Sequence, residues 1–167
     1  GAATPCAGEE VIVEGVVVGD FEGPSPALRG FYVQEEDVEA DGDPNTSDAS
    51  FVFNADDDSV SLGDTVRVTG TAAEFADQTQ LSFSTIEVIS PGDGSSTPGV
   101  TPSTFTLPLA TADALEPFEG MLVTVDQELF VTEYFQLGRF GQVLVSSGGR
   151  LDQPTAVAEP GAEANAV

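Results

Sequence analysis

The stretch VIVEGVVVGDFEGPSPALRGFYVQEEDVEADGDPNTSDASFVF, residues 11–53, constrains the fold more than any other part of the chain. Val11, Val13, Gly15 and Val17 alternate with Ile12, Glu14, Val16 and Val18, the two-residue period of a β-strand. Gly19-Asp20 and the Gly23-Pro24-Ser25-Pro26 cluster end that run, because proline removes a ladder donor and glycine accepts tight turns. Extended pairing resumes over 29–36, an acidic loop occupies 35–49, and a third strand covers 50–54. Next come Thr65-Val66-Arg67-Val68-Thr69-Gly70, with both valines predicted inside, and a fifth strand over 79–89. No long helical period interrupts them.

Five short strands with glycine-rich turns predict an all-β, five-stranded OB-like barrel, since closure removes exposed sheet edges. Gly63-Asp64 is read as the turn before the fourth strand, and Gly70 as relief of crowding where the barrel bends. An immunoglobulin-like sandwich is the alternative, but it needs about seven strands. The expected organisation is a barrel over 9–90, a linker at 91–103 (PGDGSSTPGVTPS) and a smaller, partial second β module at 104–151. An extended or disordered tail follows at 152–167. Within the second module a helical turn is expected near 111–118, with Thr111 as N-cap, then strands near 120–126, 128–134 and 139–147. Glu119-Gly120-Met121-Leu122-Val123 echoes Glu14-Gly15-Val16-Val17-Val18, and 139–145 loosely echoes 29–34. As a repeat, this implies one complete barrel followed by the opening strands of a second; chance also produces matches this short.

Charge narrows the partners. Asp plus Glu number 29 against four arginines, for a net charge of −25, and lysine and histidine are absent. Such a surface suits a salt-adapted extracellular protein, where salt screens carboxylate repulsion, or a calcium-rich module, since carboxylates are ligands of hard cations. Nucleic-acid affinity through phosphates rests on Lys and Arg, so the chain alone is expected to bind extracellular DNA weakly. Without histidine and lysine there is no imidazole general base, no catalytic triad and no Schiff-base lysine. No phosphate-binding loop ends in Lys-Ser/Thr. Cys6 has no partner within the chain, leaving it as a free thiol or the half of an external disulfide. No apolar run approaches the ~20 residues of a membrane helix, so no membrane partner is expected.

Two local constellations carry candidate chemistry. Asp41, Asp43 and Asn45 place oxygen ligands at alternate positions of a tight loop, and Asp48 can close a shell around calcium. A solvated hairpin loop explains the same residues, and Asp56-Asp57-Asp58 is a weaker acidic run. Among the aromatics, Phe31 with Val33 and Phe51 with Phe53 read as core pairs. Tyr32 points the other way with Gln34, as a platform on which a base could stack. Phe75 sits in an expected loop from Ala72 to Gln80, where OB-folds contact ligands; Arg67 and Arg29 are the accompanying cations.

The segments VEGVVVGDFEG, RGFYVQEED, DGDPNTSDASFVF, VSLGDTVRVTG, TQLSFS and FEGMLVTVDQELFVTEYFQLGRFGQVLVSSGGRLDQPT occur in the order of a known family. Together they resemble the N-terminal OB-fold region of large secreted extracellular endonucleases, which lies upstream of an endonuclease/exonuclease/phosphatase catalytic domain. The resemblance runs through most of the chain but departs near Cys6, where the family has a further glycine-rich segment, and it carries over no catalytic residue. It implies a secreted, extracellular, non-catalytic accessory module of a DNase that handles nucleic acid beside a downstream catalytic domain and uses divalent metal. A calcium-stabilised spacer or adhesion module of an exported protein is the alternative.

Overall fold

A computed structural model describes residues 4–166. Five strands, β1 (Glu10–Phe21), β2 (Gly30–Gln34), β3 (Ala49–Phe53), β4 (Thr65–Phe75) and β5 (Gln78–Ser90), close into a barrel in the order β1-β2-β3-β5-β4. β1 is long enough to pair with β4 through its first half and with β2 through its second, which closes the circuit. β3 meets β5 in parallel, and every other junction is antiparallel. The fold is therefore all-β with OB-like topology, not a sandwich.

The alternation in the sequence explains the interior. Val17, Phe31, Val33, Val52, Val60, Val66, Val68, Ala72 and Leu81 form one buried cluster. Each fully buried Val or Phe contributes about 1.5–3 kcal/mol. Val66 and Val68 point inward as expected. The Phe51/Phe53 pair divides: Val52, opposite Phe31, enters the central cluster, Phe51 is buried outside that cluster against Tyr32, and Phe53 is only half-buried. Gly63 has φ +84, and a Cβ there would collide with the Ser96 carbonyl, so the turn before β4 requires glycine. At Gly70 a Cβ would lie 2.6 Å from Ser84 Oγ, opposite a register shift in β5.

Two compact units divide the chain. The first runs to Phe105 and adds Leu109–Thr124; the second holds Thr106–Pro108 and Val125–Val167. Residues 91–103, linker-like in composition, are tied to the barrel. Gly92 N–H donates to Asp64 Oδ1 (2.7 Å), Asp37 N–H to the Gly99 carbonyl (2.9 Å), and Thr101 N–H to Asp37 Oδ1 (2.9 Å). Val100 is buried against Val16 and Val18 on the outer side of β1. β6 (Ser103–Phe105) then pairs with β7 (Val123–Val125), and the chain between them carries a 3-10 segment, Ala112–Phe118. Thr111 occupies its N-cap position without a side-chain cap bond.

The second unit contains an antiparallel pair, β8 (Leu129–Glu133) and β9 (Leu144–Ser147), with a helical turn α1 (Leu137–Phe140) between them. The strand expected over 139–147 therefore begins only at Leu144. Gly141, at φ +69, ends α1 in the left-handed conformation, and Arg139 packs its guanidinium 4.8 Å from the Phe140 ring centre. The tail carries a turn of helix, α2 (Pro154–Val157), and a short 3-10 turn, Ala164–Ala166. The echo of β1 at residues 119–123 is one of letters rather than conformation, for Gly120 sits at φ +72 and only Val123 is in a strand. No helix among the described residues is long and apolar enough to cross a membrane.

Candidate functional site

Three aromatic rings and one guanidinium line a single groove where the ends of β2, β3 and β4 approach the middle of β5. Arg29, Phe53, Asn54, Phe75, Gln80 and Phe83 are among the lining residues of a largely apolar open groove of about 620 Å³. The Arg29 guanidinium carbon stands 5.3 Å from the Phe53 ring centre, and its Nε donates to Asp56 Oδ1 at 2.8 Å. Phe75 is 69% exposed and Phe83 94% exposed. Exposure of this degree is costly for a phenyl ring, and two of them share one groove.

The backbone here is held in unusual conformations. Five non-glycine residues among those described have positive φ: Arg29 (66), Ala55 (55), Ala76 (53), Asp77 (64) and Phe83 (54). Arg29, Ala55 and Phe83 line the groove, while Ala76-Asp77 form the two-residue hairpin turn directly after Phe75. A hairpin that short favours positive φ at both central residues. Phe83 has no such excuse, since a bulky residue in the left-handed region costs roughly 1–3 kcal/mol. Its position follows from the register: Thr69 pairs with Thr85 and Thr71 with Ser82, so β5 bulges at 83–84 opposite Gly70. Strict alternation from buried Leu81 puts Phe83 inside; the bulge turns it out. Next to it, the Ser84 hydroxyl is buried without a hydrogen-bond partner.

Tyr32 occupies a different face. Its ring is half-buried against Phe21 (6.0 Å, edge-on) and Phe51 (5.0 Å), and its hydroxyl accepts from Gln78 Nε2 at 3.2 Å. Chain from residues 119–122 lies over it. A Cβ on Gly120 would stand 3.2 Å from the Tyr32 ring, Gln34 Oε1 accepts from Leu122 N–H at 2.8 Å, and Ser47 Oγ donates to the Glu119 carbonyl at 2.6 Å. Glu119 Oε1 in turn accepts from Thr79 N–H at 2.8 Å. Tyr32 borders a separate open depression of about 390 Å³ with Phe21, Gly120 and Met121.

The four residues predicted to contact nucleic acid are thus separated. Phe75 and Arg29 line the groove, Tyr32 lies under the returning chain, and Arg67 is clamped between Glu14 (2.6 Å) and Glu87 (3.0 Å). Phe53 and Phe83 complete the site, and sequence reasoning missed both.

The acidic loop uses its oxygens on itself. Asp41 Oδ1 accepts from Asp43 N–H (2.7 Å), and Asp43 Oδ1 accepts from the Asn45 backbone N–H (3.0 Å) and amide (2.8 Å). Those Asn45 bonds hold the Asp43 carboxyl below its ordinary value. Burial, then the Asp41 charge, raises Asp48, while burial, then Asp48 and Asp41, raises Glu35. Among the described residues the carboxylates that converge within 4.8 Å are instead Asp20, Glu22 and Asp58. Glu22 already accepts from Ser59 N–H (2.8 Å), Val60 N–H (3.0 Å) and Asn54 Nδ2, which latches the β3–β4 connection to the end of β1. Cys6 is half-buried and packs against the barrel core.

Comparison with protein-family models, curated proteins and solved structures finds no match for this chain.

Proposed function

We propose that the chain is a non-catalytic accessory module of a secreted, salt-adapted extracellular nuclease, holding nucleic acid for a catalytic domain of the same protein. The observation that carries this reading is the groove where the ends of β3 and β4 approach the middle of β5, with Phe53, Phe75 and Phe83 lining a space beside Arg29. Exposed rings on an OB-like barrel are platforms for unpaired bases, because every base offers a flat face and stacking tolerates any sequence. The order of sequence segments that resembles secreted endonucleases supports the same assignment. The net charge of −25 supports an environment in which salt screens the surface.

Fluorescence anisotropy with labelled single-stranded and duplex DNA of equal length, in molar sodium chloride, tests the proposal. Single strand is expected to bind more tightly than duplex, and neither is cleaved in magnesium, manganese or calcium. Absence of binding to either, together with a calcium-dependent rise in melting temperature, would replace this reading with that of a calcium-stabilised spacer.

A further inference from the structure

We infer that the groove takes single-stranded nucleic acid by the faces of its bases and leaves the phosphates outside, so that affinity rises with salt. This rests on the nucleic-acid reading above and specifies how that ligand is held. Ordinary single-strand binding loses affinity as salt increases, with a logarithmic slope of about −0.7 per phosphate neutralised. Here the number of available cations is close to zero. Arg29 is the only arginine lining the groove and already serves Asp56, while Arg67 is held by two glutamates elsewhere on the barrel. Asp57 also lines the groove, and Asp77 sits in the turn beside Phe75.

A strand approaching this surface brings phosphates toward a −25 field. At ~0.1 M salt that repulsion extends about 10 Å, and at ~1 M only about 3 Å. Stacking on Phe75 and Phe83 has no such dependence. The attractive part is therefore salt-independent and the repulsive part is screened, which reverses the usual sign. Two features commit the site to flat, neutral rings: the bulge that turns Phe83 outward at a strained φ, and the hairpin that projects Phe75. A phosphate-led site would place its cations free of carboxylates.

Three fluorescein-labelled ligands of ten units test this against the whole chain at 0.1, 0.5 and 1 M sodium chloride. They are oligothymidylate, an abasic deoxyribose-phosphate strand, and a thymine oligomer on an uncharged methylphosphonate backbone. Oligothymidylate is expected to tighten by about tenfold over this range as the screening length contracts. The uncharged oligomer should change by less than about threefold, and the abasic strand should not bind. Phe75→Ala and Phe83→Ala should each weaken both thymine ligands by roughly five- to a hundredfold. Arg67→Gln should leave all three unchanged. The uncharged ligand also reports whether the groove is folded in dilute salt. If it tightens in parallel with oligothymidylate, salt is folding the protein and the inference is overturned. Abasic binding with affinity falling as salt rises would make the site phosphate-led, overturning the inference while the nucleic-acid reading stands. No binding of any ligand at any salt removes both.

Discussion

The barrel presents two aromatic faces that differ in what lies over them. Tyr32, between Phe21 and Phe51, is covered by residues 119–122 and tied in by Gln34 and Ser47. Phe53, Phe75 and Phe83 are left in an open groove beside Arg29. One face uses its ring to bind its own chain, and the polar groups around it are satisfied by backbone. The other keeps rings in solvent on a backbone that pays for that placement in strain. Burial of an aromatic is ordinary; exposure enforced by a bulge is the feature on which the proposed binding role rests.

The largest expected effect breaks the covered face. Gly120 sits at φ +72 with the Tyr32 ring against it, so Gly120→Val adds a branched side chain where neither the backbone nor the space accepts one. We expect a loss of roughly 1–3 kcal/mol in urea unfolding. Phe83→Ala, which removes a larger group from the open face, should fall within about 0.5 kcal/mol of the parent. Equal losses would mean that the groove rings are structural.

The second effect has the opposite sign. Phe83→Gly relieves φ +54 and removes an exposed ring, so thermal melting should show a gain on the order of 1 kcal/mol. The same variant should lose oligothymidylate binding. Stability gained together with binding lost is the mark of a residue kept for its ligand. A destabilised Phe83→Gly would instead place the ring in the fold's own packing.

How far the sequence revealed this contrast follows from the same residues. The strands and the interior were legible because Val11/Val13/Val17 and Val66/Val68 alternate without interruption. The groove was half legible: Phe75 and Arg29 were singled out, but Phe75 was assigned to a loop over 72–80, whereas β4 runs to Phe75 and β5 resumes at Gln78, leaving only Ala76-Asp77 as the turn. Phe83 was not singled out, since alternation assigns it to the face of Leu81 and only the bulge opposite Gly70 reverses it. Phe53 was assigned inward with Phe51, because a five-residue strand of Ala, Ser, Phe, Val and Phe offers both faces as apolar candidates; pairing with Phe31 selected Val52. The cover over Tyr32 depends on contacts between residues 88 positions apart, such as Gln34 with Leu122, which no local pattern encodes.

A third, smaller effect sharpens the comparison at Tyr32 itself. Tyr32→Phe keeps the ring and its packing but removes the acceptor for Gln78 Nε2. A loss of about 0.5–1.5 kcal/mol is expected, with oligothymidylate affinity unchanged because the ring lies under chain rather than in the groove. Weakened binding in this variant would put the ligand on the covered face, after displacement of residues 119–122.

The smallest effect lies in the acidic loop, whose Ser47 anchors the cover and whose Asp48 and Glu35 are both raised above their ordinary values. A carboxyl with a raised folded-state pKa favours the protonated form in the native protein. Stability is therefore lowest when it is ionised, rises as pH falls through the folded value, and is fully recovered below the unfolded value near 3.8 for Asp48. Asp48→Asn fixes the neutral form, so at pH 7 it should gain up to about 0.5 kcal/mol, a small figure because the group is partly solvated. Below about pH 3 the gain should vanish, since the parent is then neutral as well. Asp93 works in the opposite sense: the Ser95 and Ser96 donors lower it, and its contribution is lost on acidification. The comparison must therefore be parent against variant at each pH, not one acid melt. Salt separates the causes at Asp48, because molar sodium chloride screens the Asp41 charge but leaves burial untouched. Burial is the larger cause, so most of the gain should persist in molar salt. A gain abolished by salt would make the loop a site of charge repulsion alone, and calcium titrated into the parent would then be expected to reproduce the effect of Asp48→Asn.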